Sequence, residues 1–272
     1  MVACVLTPAA TMHPPDARLL DGRHALITGG DSGIGEGICL ELAAHGAAVA
    51  INYVAAPDHA REMVAGIEAA GGQAIAVQMD VSSEQQVQRA FSETRDALGG
   101  LDLLVNNAGL EHPYTLLDMP LEAWQKVIDV NLTGAFLCAR EAARTMRDTG
   151  ARGAIVNISS VHEQIPWERF SHYCASKGGM KLFAQSIAKE LAPLGIRVVN
   201  VAPGAIDTPI NAAVLADPQQ SGHVKDEIPL GRWGHVGDIS RAVAWLASDQ
   251  ASYVTGATLF IDGGMALYPR FV

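Results

Sequence analysis

Residues 24–35 read HALITGGDSGIG, a short apolar run that leads directly into a glycine-rich turn. His24 to Thr28 have the composition of a buried strand, and Gly33 begins a helical pattern that ends near His45. A strand that passes through such a turn into a helix is the first half of a βαβ unit. This stretch predicts an α/β domain with a parallel sheet.

The same alternation of strand-like runs and longer helical patterns continues along the chain. Further strands are predicted at 48–52, 74–78, 101–106, 154–158, 197–201 and 258–261, and further helices at 57–70, up to residue 98, at 121–146, 173–192 and 237–247. About seven strands with helices on both faces make a doubly wound, Rossmann-type parallel sheet. We expect a single domain over residues 21–272, a flexible tail over 1–20, and an irregular substrate lid over 202–234.

Composition argues against several classes of protein. The net charge is −10 and no basic run is present, so nucleic acid is not an expected partner. No apolar run approaches the roughly 20 residues of a membrane-spanning helix, and no basic stretch of a signal peptide opens the chain, so a cytoplasmic location is expected. The four cysteines have no CxxC spacing and are interpreted as reduced structural thiols. The histidines at 112, 162 and 172 lack the spacing of a zinc site, so no metal is expected.

The turn after the first strand has the chemistry of a phosphate site. Its glycines let the backbone approach a pyrophosphate, and the helix that follows offers free N–H groups and a partial positive charge. A glycine turn alone could be only a tight connection, but its position at the first strand–helix junction favours a nucleotide. At the end of the second strand, Asn52, Tyr53 and Val54 carry no charge. Since an acid there suits NAD and a base suits NADP, both cofactors are expected, with no preference.

The segment TGGDSGIG at 28–35 resembles the TGxxxGxG pattern of the short-chain dehydrogenase/reductase family. Three further segments match that family in the same order, namely NNAG at 106–109, Tyr173 with Lys177, and Pro203 with Gly204. The resemblance extends from about Leu20 onward and implies a nicotinamide cofactor, NAD or NADP. Turn capping is an alternative role for Asn107. The residues that the resemblance assigns to the cofactor are Gly29, Asp31, Ser32, Gly33, Ile34, Gly35, Tyr53, Asp80, Val81, Asn107, Ala108, Gly109, Tyr173, Lys177, Pro203, Gly204, Ile206 and Thr208.

Tyr173 and Lys177 lie four residues apart in a predicted helix, so their side chains share one face. The pKa of a tyrosine in water is about 10, and a nearby ammonium favours its deprotonation. Taken alone, the pair is more typical of an amphipathic helix with a solvated lysine than of a catalytic site. The resemblance implies that Ser160 positions the substrate oxygen, with Ser159 as the alternative. It also implies that Asn131, through its backbone or its side chain, holds a water that links Lys177 to solvent. Tyr173 then exchanges the alcohol proton while hydride passes to the nicotinamide.

The segment SSVHEQIPWERFSHYCASKGGMKL at 159–182 is similar to the bacterial glucose 1-dehydrogenases within this family. That resemblance implies oxidation of an aldose at C1 to a lactone, and a homotetramer. It places Glu111, Ser160, His162 and Asn211 around the substrate. A solvated loop acid at Glu111 and a structural role for His162 are the alternatives.

Two other functions are open on the sequence alone. A 3-oxoacyl or other ketone reductase would use the same machinery under an apolar lid, and Ile210 and Val214 are compatible with one. A non-catalytic dinucleotide-sensing protein would keep the nucleotide fold without turnover. The joint presence of Asn131, Ser160, Tyr173 and Lys177 argues against that second alternative.

Overall fold

The sheet is the centre of the molecule. In the computed structural model, residues 18–55 and 57–267 are described. Seven parallel strands form one sheet in the order β3-β2-β1-β4-β5-β6-β7. They are β1 His24–Ile27, β2 Ala48–Tyr53, β3 Gln73–Gln78, β4 Leu103–Asn106, β5 Ala154–Ile158, β6 Arg197–Pro203 and β7 Thr258–Ile261. The predicted doubly wound sheet is confirmed, with β1 and β4 at the point where the strand order reverses.

Helices cover both faces of the sheet, as the two buried clusters of apolar residues require. One cluster joins the sheet to α1, α2 and α9, and the other joins it to α3, α5 and α6. The helices are α1 Gly33–Ala44, α2 Pro57–Ala69, α3 Glu84–Leu98, α4 Leu121–Ile128, α5 Gly134–Thr149, α6 Ser171–Leu191, α7 Ala212–Ala216, α8 Pro218–Asp226 and α9 Val236–Ala247. The predicted tail falls mostly outside the described residues, although Leu20 is buried.

A π-helical turn, Asp129–Thr133, joins α4 to α5. The sequence predicted one helix over 121–146, and the helical path is indeed continuous until Thr149. A π turn widens the helix by one residue and breaks the regular hydrogen-bond ladder, which is why such turns recur at functional sites. Asn131 lies in the middle of this turn.

The lid differs from the prediction. Residues 202–234 were expected to be irregular, but they contain α7 and α8. Asp217 caps α8 by accepting from Gln219 N at 2.9 Å and Gln220 N at 3.2 Å, and Pro218 occupies the first turn. Helices of five and nine residues are too short for a clear hydrophobic period, so only these capping residues signalled them.

A ladder of three buried amides crosses the middle of the sheet. Asn106 Nδ2 donates to Asn157 Oδ1 at 2.9 Å, and Asn157 Nδ2 donates to Asn200 Oδ1 at 2.9 Å. The three residues face one another in register on β4, β5 and β6. Because a one-residue slip would turn each amide to the other face of the sheet, the ladder specifies the register of these strands. Their carboxyl ends carry the site described next.

Candidate active site

A cavity of about 480 Å³ opens at the carboxyl ends of the strands. Ligands bind outside this edge in open α/β sheets. The predicted residues that line it are Ile34, Asn107, Gly109, Glu111, Ser160, His162, Tyr173, Lys177, Pro203, Gly204, Ile206, Thr208 and Asn211. The remaining predicted residues do not line it, and they are Gly29, Asp31, Ser32, Gly33 and Gly35 between β1 and α1, Tyr53 at the end of β2, Asp80 and Val81 after β3, Ala108 after β4, and Asn131 in the π turn.

The glycine turn between β1 and α1 has the shape of an anion cradle. Gly29 and Gly33 adopt left-handed backbone angles, with φ of 57° and 54°. A Cβ on Gly35 would overlap the carbonyl oxygen of Gly29, so the turn closes only around a glycine at this position. The side chain of Ser32, at the N-cap of α1, makes no capping hydrogen bond within the described part of the chain. The first turn of α1 therefore presents N–H groups that suit a pyrophosphate.

Asn107 clamps this turn to the end of β4. Its side-chain Nδ2 donates to Thr28 O at 3.0 Å and to Gly29 O at 2.9 Å. In return, Thr28 Oγ1 accepts from the main-chain N of Asn107 and of Ala108, both at 2.9 Å. Asn107 thus combines the turn-stabilising role considered as its alternative with a position on the cavity wall.

Asn52, at the end of β2, makes a second clamp on the glycine turn. Its Oδ1 accepts from Gly29 N at 2.9 Å, and its Nδ2 donates to Val77 O at 3.3 Å and Met79 O at 2.9 Å. The residue is 1% exposed. Sequence reasoning missed this role, although a polar residue at the end of an otherwise apolar strand was its signal.

Lys177 and Tyr173 lie together on the first half of α6. Lys177 Nζ is buried, donates to Ile158 O at 2.9 Å, and lies 5.5 Å from the centre of the Tyr173 ring. Burial lowers the pKa of Lys177 to about 8, although the charges of Glu111 and Glu163 act to raise it. Burial and the charge of Glu111 raise the pKa of Tyr173, whereas the Ser160 side chain lowers it. Neutral pH therefore lies close to the pKa of Lys177. The Tyr173 phenol, whose pKa is raised, is protonated at neutral pH in the free protein.

The two serines at the end of β5 have different partners. Ser160 is extended and buried, and its Oγ accepts from His162 N at 3.2 Å. Ser159 Oγ donates to the Glu163 carboxylate at 2.6 Å. Because that bond occupies the Ser159 hydroxyl, Ser160 is better placed to meet a substrate oxygen.

Asn131 supports the cavity from behind. Its Oδ1 accepts from Leu110 N at 2.9 Å, while its Nδ2 donates to Leu110 O at 3.0 Å and to Ser176 Oγ at 3.2 Å. The residue is fully buried. Its side chain therefore holds the loop that carries Glu111, and the contact of Asn131 with a water stays a prediction.

An aromatic stack that sequence reasoning did not single out forms one wall. Trp167 stacks on His162 with ring centres 4.5 Å apart and on Phe170 with ring centres 3.7 Å apart. Tyr173 meets the edge of this stack, 6.1 Å from Trp167. The signal was the run of aromatic residues just before Tyr173, whose mutual contacts depend on the loop conformation.

Comparison with known proteins assigns the family. A sequence profile described as "Enoyl-(Acyl carrier protein) reductase" matches residues 29–266. The chain belongs to the short-chain dehydrogenase/reductase family. It is 47% identical over 252 residues to 3beta-hydroxysteroid dehydrogenase 1 of Eggerthella lenta, a match that covers 93% of this chain and 97% of the relative. It is 41% identical over 251 residues to glucose 1-dehydrogenase 2 of Bacillus subtilis, covering 92% and 97% of the two chains.

A solved short-chain dehydrogenase has the same fold. The crystal structure of a gluconate 5-dehydrogenase from Burkholderia cenocepacia J2315, in complex with NADP and tartrate, gives a TM-score of 0.88 at 35% identity and covers 93% of this chain and 99% of the other. The predicted family and cofactor class are confirmed: this short-chain dehydrogenase/reductase is an NAD(P)-dependent oxidoreductase that acts on a CH–OH group or the corresponding carbonyl. Its relatives act on different substrates, so the substrate is a separate question.

The polar groups predicted to surround the substrate of this short-chain dehydrogenase/reductase form some of their hydrogen bonds within the protein. Asn211 Nδ2 donates to Ile206 O at 2.8 Å, and His162 Nδ1 lies 3.2 Å from Ile165 O. Because a carbonyl only accepts, the neutral imidazole carries its proton on Nδ1 and leaves Nε2 as an acceptor. Burial raises the pKa of Glu111, although the positive charge of Lys177 acts to lower it. Glu227, which the sequence did not indicate, lines the same cavity.

Two features are absent from the described part of this short-chain dehydrogenase/reductase. Over residues 18–55 and 57–267, no helix has the length and apolar character needed to cross a bilayer. The same residues contain no group of three or more His, Cys, Asp or Glu side chains arranged for a metal ion. The expectation that no metal is needed stays a prediction.

Proposed function

We propose that this protein is a sugar dehydrogenase that oxidises the C1 hydroxyl of an aldose, such as glucose, to a lactone with NAD or NADP. The observation that carries the proposal is the set of hydrogen-bonding groups around Tyr173 in one cavity: the carboxylates of Glu111 and Glu227, His162 Nε2 and the side-chain oxygen of Asn211. Each hydroxyl of a bound sugar left without a partner would cost about 1 to 3 kcal/mol, so a sugar site must supply such groups.

The residues present fit a nicotinamide dinucleotide. The cradle at Gly35, which a Cβ would fill, and the uncapped first turn of α1 suit its pyrophosphate. Lys177 and the segment from Pro203 to Thr208 are the groups proposed to hold its ribose and nicotinamide. When bound, the cofactor supplies the hydride acceptor for the alcohol.

The protein's own residues manage the proton. In the proposed mechanism Ser160 donates a hydrogen bond to the substrate oxygen, and Tyr173 Oη takes the hydroxyl proton as a general base. The Lys177 ammonium, 5.5 Å from the ring centre, stabilises the phenolate that this role requires. In the reverse direction Tyr173 is the acid.

A second substrate class has its own support. Ile165, Trp167, Trp233 and Met265 form apolar surface in the same cavity. Such walls favour a hydroxysteroid, an acyl ketone or another apolar alcohol, and the relative from Eggerthella lenta bears a hydroxysteroid name. A dinucleotide-sensing protein without turnover has no comparable observation in its favour.

A substrate panel distinguishes these proposals. Aldoses, polyols, hydroxysteroids and 3-oxoacyl esters are offered with NAD and with NADP, and nicotinamide absorbance is followed. We expect aldose oxidation, and a Glu111→Gln variant should raise KM for the sugar more than Kd for the nucleotide. Turnover of steroids or ketones with no aldose reaction would replace the sugar proposal with the second class, and no turnover with any alcohol would favour the sensing protein.

We also infer a homotetramer, as the resemblance to glucose 1-dehydrogenases implies. Exposed apolar side chains on α5 and in the turn directly after α6 support it, with Phe136 41% and Leu194 44% exposed. Light scattering should give four times the chain mass of 28.6 kDa, and Phe136→Arg should reduce it. A monomeric mass for the unaltered protein would contradict the inference. The cytoplasmic location stays a prediction.

A further inference from the structure

A buried carboxylate lies beside the proposed catalytic lysine without a role in the mechanism above. The side chain of Glu163 is 0% exposed. One of its oxygens accepts from Ser159 Oγ at 2.6 Å, and the other lies 3.4 Å from Lys181 Nζ without forming a hydrogen bond. A buried carboxylate is costly unless it is paired, so its retention here calls for an explanation.

The cluster is connected to the catalytic groups at both ends. Tyr173, Lys177 and Lys181 follow one another at four-residue intervals, so they share one face of α6. Glu163 pairs with the last of the three. Its other partner, Ser159, directly follows Ile158, whose carbonyl oxygen accepts from Lys177 Nζ at 2.9 Å.

Glu163 also shapes the strand end that carries Ser160. Its main-chain N donates to Ser160 O at 3.0 Å, which closes the short turn Val161–Glu163. The backbone and the side chain of one residue therefore hold the two serines at the end of β5. The carboxylate also places a negative charge beside these two serines.

We propose that Glu163 is a positioning residue for Lys177: its buried carboxylate is a counter-charge that keeps Lys177 cationic at neutral pH. The inference rests on the proposed role of Lys177 in stabilising the Tyr173 phenolate. A neutral glutamine could accept the same hydrogen bond from Ser159, so the proposed role depends on the negative charge of Glu163.

Two carboxylates act on Lys177 from different elements, and their effects differ. The ionisable groups around Lys177 are Tyr173 and Lys181 on its own helix, Glu111 from the loop after β4, and Glu163 from the turn after β5. Both carboxylates raise the pKa of Lys177 against the effect of burial. Glu111 also raises the pKa of Tyr173, which opposes phenolate formation. Glu163 raises the pKa of Lys177 and is not among the groups that shift the pKa of Tyr173.

The direct test is a titration of Lys177 itself. The chain has five lysines, so ¹³C-lysine NMR with Lys177→Met for assignment can follow its ε-carbon without any cofactor. In Glu163→Gln, which keeps an oxygen for Ser159, the midpoint should fall by about half a unit to one unit. In Ser159→Ala, which keeps the charge, it should not move. In Lys181→Met, which removes the competing cation, it should rise.

Activity gives an independent reading. The alkaline limb of kcat/KM reports loss of the lysine charge, so it should move to lower pH in Glu163→Gln and to higher pH in Lys181→Met. An unchanged midpoint and limb in Glu163→Gln would overturn the inference, and if that variant does not fold, an unchanged midpoint in Lys181→Met would do so. Full turnover in Tyr173→Phe would instead refute the proposed mechanism, so the two failures are distinguishable.

Discussion

The two sides of the cavity are built in different ways. On the side proposed for the nucleotide, the amides of Asn52 and Asn107 bind main-chain groups, so backbone shape defines the site. On the side proposed for the substrate, the walls are side chains from residues 202–234 and from the turn before α6, and Ile210 is 61% exposed. A backbone shape depends on a few residue types, whereas a side-chain wall depends on every member. This difference explains how one family can keep its cofactor and change its alcohol.

The largest effect is expected from a change at Tyr173, which lies between the two sides of the cavity. Tyr173→Phe should lower turnover by about 10²- to 10⁴-fold, because the proposed general base is lost. Its nucleotide Kd should change little, since the clamps around the glycine turn do not include the phenol. Steady-state kinetics and fluorescence titration check both statements. Tyr253→Phe alters a fully exposed tyrosine and is the matched control; a catalytically normal Tyr173→Phe would contradict the assignment.

The next effect concerns the stability of the catalytic side. The folded-state pKa of Lys177, about 8, lies below its ordinary value of 10.5. The unfolded chain therefore binds more protons between these values, and the wild type should gain up to about 3 kcal/mol of unfolding free energy over Lys177→Met as pH rises through them. Urea unfolding at neutral and alkaline pH measures this. A constant difference between the two proteins would be the contrary result, and Lys126→Met, at an exposed lysine, is the control.

The addition of one methyl group at Gly35 should disrupt the glycine turn on the side proposed for the nucleotide. Gly35→Ala should cost about 1 to 3 kcal/mol and weaken nucleotide binding, because its Cβ meets backbone and not a flexible side chain. Gly66→Ala, in the exposed part of α2 with no atom within 4 Å of the added Cβ, should stabilise the protein by about 0.5 to 1 kcal/mol. Thermal unfolding and nucleotide titration compare the pair. Equal behaviour of the two variants would show that the turn is not tightly closed.

The smallest expected effect sharpens the description of the substrate side. Asn211→Ala removes the bond to Ile206 O and should cost about 1 kcal/mol, or roughly a fivefold rise in substrate KM. The nucleotide Kd should stay the same, since the clamps are elsewhere. Kinetics with varied substrate and varied cofactor separate the two constants. A matching loss of nucleotide affinity would mean that the lid serves both sides equally.

The same contrast explains what the sequence could predict. Strand and helix periods, and residue types that only a special backbone requires, located the sheet, the glycine turn and Tyr173 with Lys177. The role of Glu163 could not be read, because its partners depend on how the turn after Ser160 folds back. The direction of the Asn131 side chain was hidden for a similar reason, since a π turn rotates its neighbours out of the regular helical period. The helices of the lid were too short to show a period at all.

The ladder of Asn106, Asn157 and Asn200 has a consequence for how this protein can change over time. Each amide satisfies a neighbour, so replacing one by a leucine leaves a buried donor or acceptor without its partner and costs about 1 to 3 kcal/mol. Replacing all three together removes the polar groups as a set and avoids most of that cost. Replacement of one of the three asparagines should therefore destabilise the protein more than replacement of all three together. These three positions should be inherited as a unit, and a lineage that has lost one of them should have lost the others.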